Sequence, residues 1–147
     1  MYKKILVPLD GSDLAECTLG HVKAIATGCH VPEVVLLKVI EEPVLPYVEA
    51  AFLHDTRDKL EAEAKDYLSG IAATLKKDGV AADTAVVHGA AAHDILEYAK
   101  NNNIDLIIIS THGLSGAFRW VFGSVADRVV RHSPIPVLTV SPEGCRV

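Results

Sequence analysis

Asp105-Leu106-Ile107-Ile108-Ile109-Ser110-Thr111-His112-Gly113 is the stretch that decides how this chain folds. Leu106 to Ile109 is an apolar strand that runs straight into a small-residue turn, Ser110 to Gly116. Nine residues separate Gly113 from the pair Gly123-Ser124, which opens a helical pattern that stops at Ser133-Pro134. A turn without bulky side chains lets backbone N–H groups approach a ligand closely. The N-terminus of a helix adds unpaired N–H donors and partial positive charge. Strand, small-residue turn and helix start together describe an anion site, with phosphate the expected occupant.

Outward from that stretch, apolar runs alternate with helical periodicity. Lys3 to Leu9 reads as a first strand, and Asp10-Gly11-Ser12-Asp13 supplies turn and N-cap chemistry before a helix from Leu14 to Cys29. Val34 to Ile40 is the second strand. Pro43 and Pro46 exclude a regular element after it, leaving a loop that either folds over a pocket or simply connects. Leu53 to Lys77 carries Leu60, Ala64, Leu68, Ile71 and Leu75 at helical spacing, and Asp78-Gly79 ends it. Ala82 to Val87 is a weaker third strand. A helix from Ala91 to Lys100 precedes the fourth, and Pro136 to Val140 is the fifth. Five strands alternating with four helices predict a doubly wound, five-stranded parallel sheet in one domain, residues 1–147, with helices on both faces. Ligands on such sheets bind beyond the strand carboxyl ends, where the strand order reverses. The ends of the first, second and fourth strands are therefore the expected pocket.

Composition narrows the function. Half of the 147 residues are apolar and the net charge is −5. That is enough to build a full core, and it makes a poor nucleic-acid binder, because no basic cluster is present. No stretch approaches the ~18 apolar residues that span a bilayer, and no signal-peptide pattern follows Met1, so a cytoplasmic protein is expected. Three cysteines without a C-x-x-C spacing suggest neither a disulfide framework nor a zinc site. Cys17 and Cys29, in a helical segment, read as packing residues.

The chemistry-bearing residues fit binding better than catalysis. No glycine is followed by lysine and no G-x-G occurs, so neither a Walker motif nor a dinucleotide fingerprint is present. Gly113-Leu114-Ser115-Gly116-Ala117 imitates a nucleophile elbow but ends in alanine and does not directly follow a strand. Asp10, at the end of the first strand, suits either two ribose hydroxyls or an Asx-turn. His112 sits in the glycine turn, within reach of a phosphate, or simply forms the turn. Arg128 and Arg131 lie near the negative end of the last helix and read as structural.

These residues resemble the universal stress protein family over nearly the whole chain. The likeness rests on Lys3 to Ser12, Gly89 to Ala99, Asp105 to Gly113, and Gly123 to Val140. The resemblance implies a Rossmann-like fold of the adenine nucleotide alpha hydrolase type. The ATP-binding branch carries G-x2-G-x9-G-[ST]. Gly113, Gly123 and Ser124 match it, whereas Ser110 stands where that branch has glycine. By resemblance, Pro8, Leu9, Asp10 and Val39 line the adenine and ribose site. Ile109, Ser110, Gly113, Gly123, Ser124 and Val125 hold ribose and phosphates. The ligand implied is ATP, with AMP or cyclic AMP as alternatives and Mg²⁺ entering only with bound ATP. The resemblance also implies a homodimer through the Pro136–Val140 edge strand. Function is expected to be stress-response signalling through nucleotide binding. The alternatives are a weak ATP-hydrolysing enzyme and a ligand-free scaffold.

Overall fold

The computed structural model describes residues 1–42, 49–112, 123–141 and 143. Its elements run β1 (Lys4–Pro8), α1 (Asp13–Glu16), α2 (Thr18–Gly28), β2 (Glu33–Ile40), α3 (Ala50–Lys77), β3 (Ala82–His88), α4 (Ala91–Asn101), β4 (Leu106–Ser110), α5 (Ser124–His132) and β5 (Val137–Val140). All five strands pair in parallel in the order β3-β2-β1-β4-β5. The chain steps outward from β1 to β3, then returns to β4 on the other side of β1. With right-handed crossovers throughout, that reversal moves the later helices to the opposite face. The carboxyl ends of β1 and β4 thus flank the switch point.

Period-two alternation sorts the strands into two cores. On one face Ile5, Val7, Val34, Leu36 and Ile108 pack against Val22 and Ala26 of α2 and Leu68, Ile71 and Leu75 of α3. On the other, Leu6, Val35, Leu37, Ile107 and Ile109 meet Ile95 and Ala99 of α4 and Ala126 and Val129 of α5. Ile5, Leu6, Leu36, Leu37, Ile107 and Ile108 are fully buried. Burying one such side chain is worth about 1.5–3 kcal/mol relative to leaving it exposed, so the two layers hold the strand ends that shape the site.

Three details depart from the sequence reading. The first helix is broken at Cys17 into α1 and α2. The buried Thr18 hydroxyl donates to the Ala15 carbonyl at 2.7 Å, competing with the backbone for the acceptor that a continuous helix would use. Cys17, read as a packing residue, is disulfide-bonded, whereas Cys29 is a free thiol. An odd cysteine count with long separations hides such a bond from spacing arguments. The long helix also begins at Ala50, three residues before the periodic pattern becomes clear.

Candidate functional site

A cavity of about 350 Å³ opens at the switch point. Pro8, Leu9 and Asp10 reach it from β1, Val39 from β2, Ile109, Ser110 and His112 from β4 and its turn, and Gly123, Ser124 and Val125 from the start of α5. Ten of the eleven residues singled out in the sequence therefore line one cavity. Gly113 lies outside the described residues, as does the rest of the Gly113–Ala117 imitation of a nucleophile elbow.

The β4–α5 end is built from backbone. The Gly123 N–H donates to the Thr111 carbonyl at 2.6 Å, docking the helix start on the turn after β4. A Cβ on Gly123 would lie 3.0 Å from that same carbonyl. The Gly123 φ of −57° is ordinary, so close approach rather than an unusual backbone angle favours glycine here. Gly123 is the N-cap of α5 and offers no side-chain cap. Hence the N–H groups of the first helical turn, beginning at Ser124, lack the side-chain acceptor that usually satisfies one of them. The turn itself is held by Ser110, whose hydroxyl donates to the His112 carbonyl at 2.7 Å and accepts from the His112 N–H at 3.4 Å. Thr111 Oγ1 lies 2.8 Å from His112 Nδ1, and the Thr111 N–H donates to the Val140 carbonyl of β5 at 2.9 Å. Two hydroxyls in the turn thus fix its path from inside.

Asp10 takes up one of its two readings visibly. Its Oδ1 accepts from the Ser12 N–H at 2.9 Å and from the Ser12 hydroxyl at 2.6 Å, an Asx-turn. Ser12, not Asp10, then caps α1 by accepting from the Ala15 N–H at 3.1 Å. The turn orients the Asp10 carboxylate while leaving the residue on the cavity wall.

The opposite end of the cavity contains residues that sequence reading missed. Leu37 and Glu41 line it beside Val39, continuing the same alternating face of β2. Ala91 and Ile95 close it from α4. Gly89 gives that helix its position, because a side chain there would collide with the Asp94 carboxylate. Asp94 Oδ2 accepts from the Ala90 N–H at 2.6 Å, and Glu41 Oε1 accepts from the Ala91 N–H at 3.3 Å. Two acidic side chains therefore cap α4, compensating its unpaired donors. Among the described residues, one end of the cavity is apolar with a single carboxylate at its rim; the other is a cradle of backbone donors.

The match that decides the family covers residues 1–141 and belongs to the universal stress protein family. The chain belongs to the universal stress proteins. Universal stress protein MJ0577 of Methanocaldococcus jannaschii is 33% identical, with 95% of each chain covered. The solved structure of MJ0577 superposes with a TM-score of 0.87 over 96% of each chain at 38% identity. UspA from Lactobacillus plantarum gives 0.83 at 28% identity, covering 95% of this chain and 97% of that one. A universal stress protein solved in complex with cAMP gives 0.71 at 25% identity, with 95% and 97% covered.

Other charged groups of this universal stress protein pair with one another. The Arg131 Nε–H is shared between the two Asp127 carboxylate oxygens at 2.9 and 3.0 Å, which raises the Arg131 pKa. A second cavity of about 310 Å³ lies under the start of α3. Its charged side chains face partners already: Arg57 with Glu42 at 3.4 Å, His54 with Asp58 at 3.5 Å and His88 with Glu61 at 3.1 Å. Glu61 also pairs with Lys65, whose hydrogen bond, ahead of that of His88, lowers the Glu61 pKa. Burial raises the pKa of Tyr67 and of Tyr98, so both remain neutral phenols at physiological pH. Among the described residues no cluster of His, Cys, Asp and Glu is arranged to hold a metal ion, and no helix is long and apolar enough to cross a membrane.

Proposed function

We propose that this universal stress protein binds one adenine nucleotide, ATP first, in the switch-point cavity, and acts by binding rather than turnover. The carrying observation is the uncapped α5 N-terminus docked on the Ser110–His112 turn, facing a slot walled by Leu37, Val39, Ala91 and Ile95. Phosphates suit the donor end, and a flat apolar base suits the other. The cavity volume falls within the range of about 300–1,000 Å³ typical of small-molecule sites. The relative solved with cAMP supports the adenine-nucleotide class. The protein supplies no cluster of ionisable groups to hold Mg²⁺ among its described residues, so Mg²⁺ enters with the triphosphate. Binding is favoured over chemistry because Asp10 Oδ1 is already engaged by Ser12 and the cradle is mostly backbone.

The proposal extends to a two-fold dimer through β5. Both sheet edges need protection, and β3 carries Asp83 on its exposed side while Val137–Val140 carries no charge. Pro136 and Val140 carbonyls accept from Ile107 and Thr111 of the β4 side. By alternation Leu138 also faces β4, which leaves the N–H and C=O of Val137 and Thr139 pointing outward for an antiparallel partner.

Thermal unfolding with and without Mg²⁺ and ATP tests the binding reading. Ligand at about 100 times its Kd adds about 2.7 kcal/mol, or roughly 5–10 °C for a domain of this size. No shift at millimolar ATP rejects nucleotide binding and favours the ligand-free scaffold.

A further inference from the structure

Resting on the adenine-nucleotide reading, we propose that Glu41 selects the base: its carboxylate accepts the 6-amino group of adenine and disfavours purines that carry a carbonyl there. The two ends of the cavity are chemically unlike, and strand order sets their separation. β2 and β4 flank β1 on opposite sides, about 10 Å apart at the usual strand spacing. With phosphates on the α5 N-terminus beyond β4, the base lies over β2, between Val39 and Ile95. Among the described residues, Glu41 is the charged side chain at that end.

Its geometry suits recognition. Glu41 is exposed at the rim, and the Ala91 N–H engages Oε1 at 3.3 Å. That contact orients the carboxylate and leaves Oε2 without a partner among the described residues. An ionised carboxylate only accepts hydrogen bonds. Adenine presents a 6-amino donor, whereas guanine and hypoxanthine present a 6-carbonyl acceptor. In the same pose the amino group gains a charge-assisted hydrogen bond and the carbonyl meets like partial charge. The discrimination comes from the bond gained by the amino group and the repulsion met by the carbonyl, since water satisfies the exposed carboxylate when the base does not.

Calorimetric titration of the full chain with ATP and with inosine triphosphate tests the inference. The two ligands share ribose and triphosphate and differ at the 6-position and its adjacent N1 proton. The wild type binds ATP at least about 10-fold more tightly, one charge-assisted hydrogen bond's worth. In Glu41→Gln the amide oxygen keeps the Ala91 contact and the NH₂ group donates to a 6-carbonyl, so the preference falls to near one or inverts. Glu41→Ala lowers ATP affinity and relieves the repulsion of the 6-carbonyl, so the preference narrows, but without a donor it does not invert as Glu41→Gln can. Circular dichroism confirms that both variants fold. Equal wild-type affinities, or full discrimination retained in Glu41→Gln, overturn the role of Glu41 while leaving nucleotide binding intact. If the wild type binds neither ligand, the nucleotide reading fails and the base-selection role fails with it.

Discussion

Replacing Gly123 probes the phosphate cradle at its tightest point. A Cβ at this position sits 3.0 Å from the Thr111 carbonyl oxygen and 3.8 Å from His112 Cα. The first is about 0.4 Å short of ordinary van der Waals separation. The neighbour is backbone, tied to Gly123 by a 2.6 Å hydrogen bond, so the strain is relieved by parting the β4 turn from α5. Gly123→Val adds two methyl groups at that junction. Overpacking of this kind costs about 1–3 kcal/mol, a fall of roughly 2–10 °C in Tm for a chain of this length. The parted cradle also loses at least one phosphate hydrogen bond of about 1.5–3 kcal/mol, weakening ATP by roughly 10- to 150-fold. Adenosine, lacking phosphate, binds with nearly unchanged affinity. Paired titrations of ATP and adenosine, with circular dichroism to verify folding, measure both effects. A folded variant with wild-type ATP affinity, or equal losses for ATP and adenosine, refutes the placement of phosphate at α5.

Ser110→Ala removes both hydrogen bonds that hold the turn to His112, and urea titration is expected to show a loss of about 1 kcal/mol together with weaker ATP binding. Thr139→Pro removes an outward donor of β5 while sparing the β4 ladder, so light scattering should report monomers of a protein that stays folded; a persistent dimer places the interface elsewhere. Glu61→Gln probes the Lys65 and His88 partners of α3: because the folded pKa of Glu61 lies below its ordinary value of 4.5, its stabilisation is present above that pH and disappears as pH falls through the folded value. Wild type and variant should therefore differ in Tm at pH 7, and the difference should shrink as the pH falls below 4.5 and vanish only below the lowered folded value.

The strands were legible because each is a short apolar run bounded by turn chemistry, and their alternation with helices implied the parallel sheet later seen in β3-β2-β1-β4-β5. The helix break at Cys17 was not, since the competing Thr18 hydroxyl acts through a local contact that periodicity does not register. At the site, residues at strand ends were readable from topology alone: Asp10, Val39 and Ser110 stand where any doubly wound sheet places its ligand. Leu37 and Glu41 were within reach of the same reasoning, as they extend the alternating face that carries Val39. Ala91 and Ile95 were not, because their approach depends on how α4 packs across the sheet. Gly123 was singled out as a small residue that permits close backbone approach; the sequence does not reveal that the group approached is the carbonyl of Thr111, twelve residues earlier, at an ordinary φ. Ser110, a departure from the glycine of the ATP-binding pattern, has its hydroxyl engaged within the turn, which keeps the cradle's path without glycine.

Amide chemical-shift mapping by NMR during titration with Mg²⁺ and ATP tests the central claim most directly. Saturable shifts at one nucleotide per chain should be largest at Ser124, Val125 and Ala126 on α5, with a second group at Val39 and Ala91. No saturable shift, or shifts centred on Arg57 and His88 in the second cavity, would contradict nucleotide binding at the switch point.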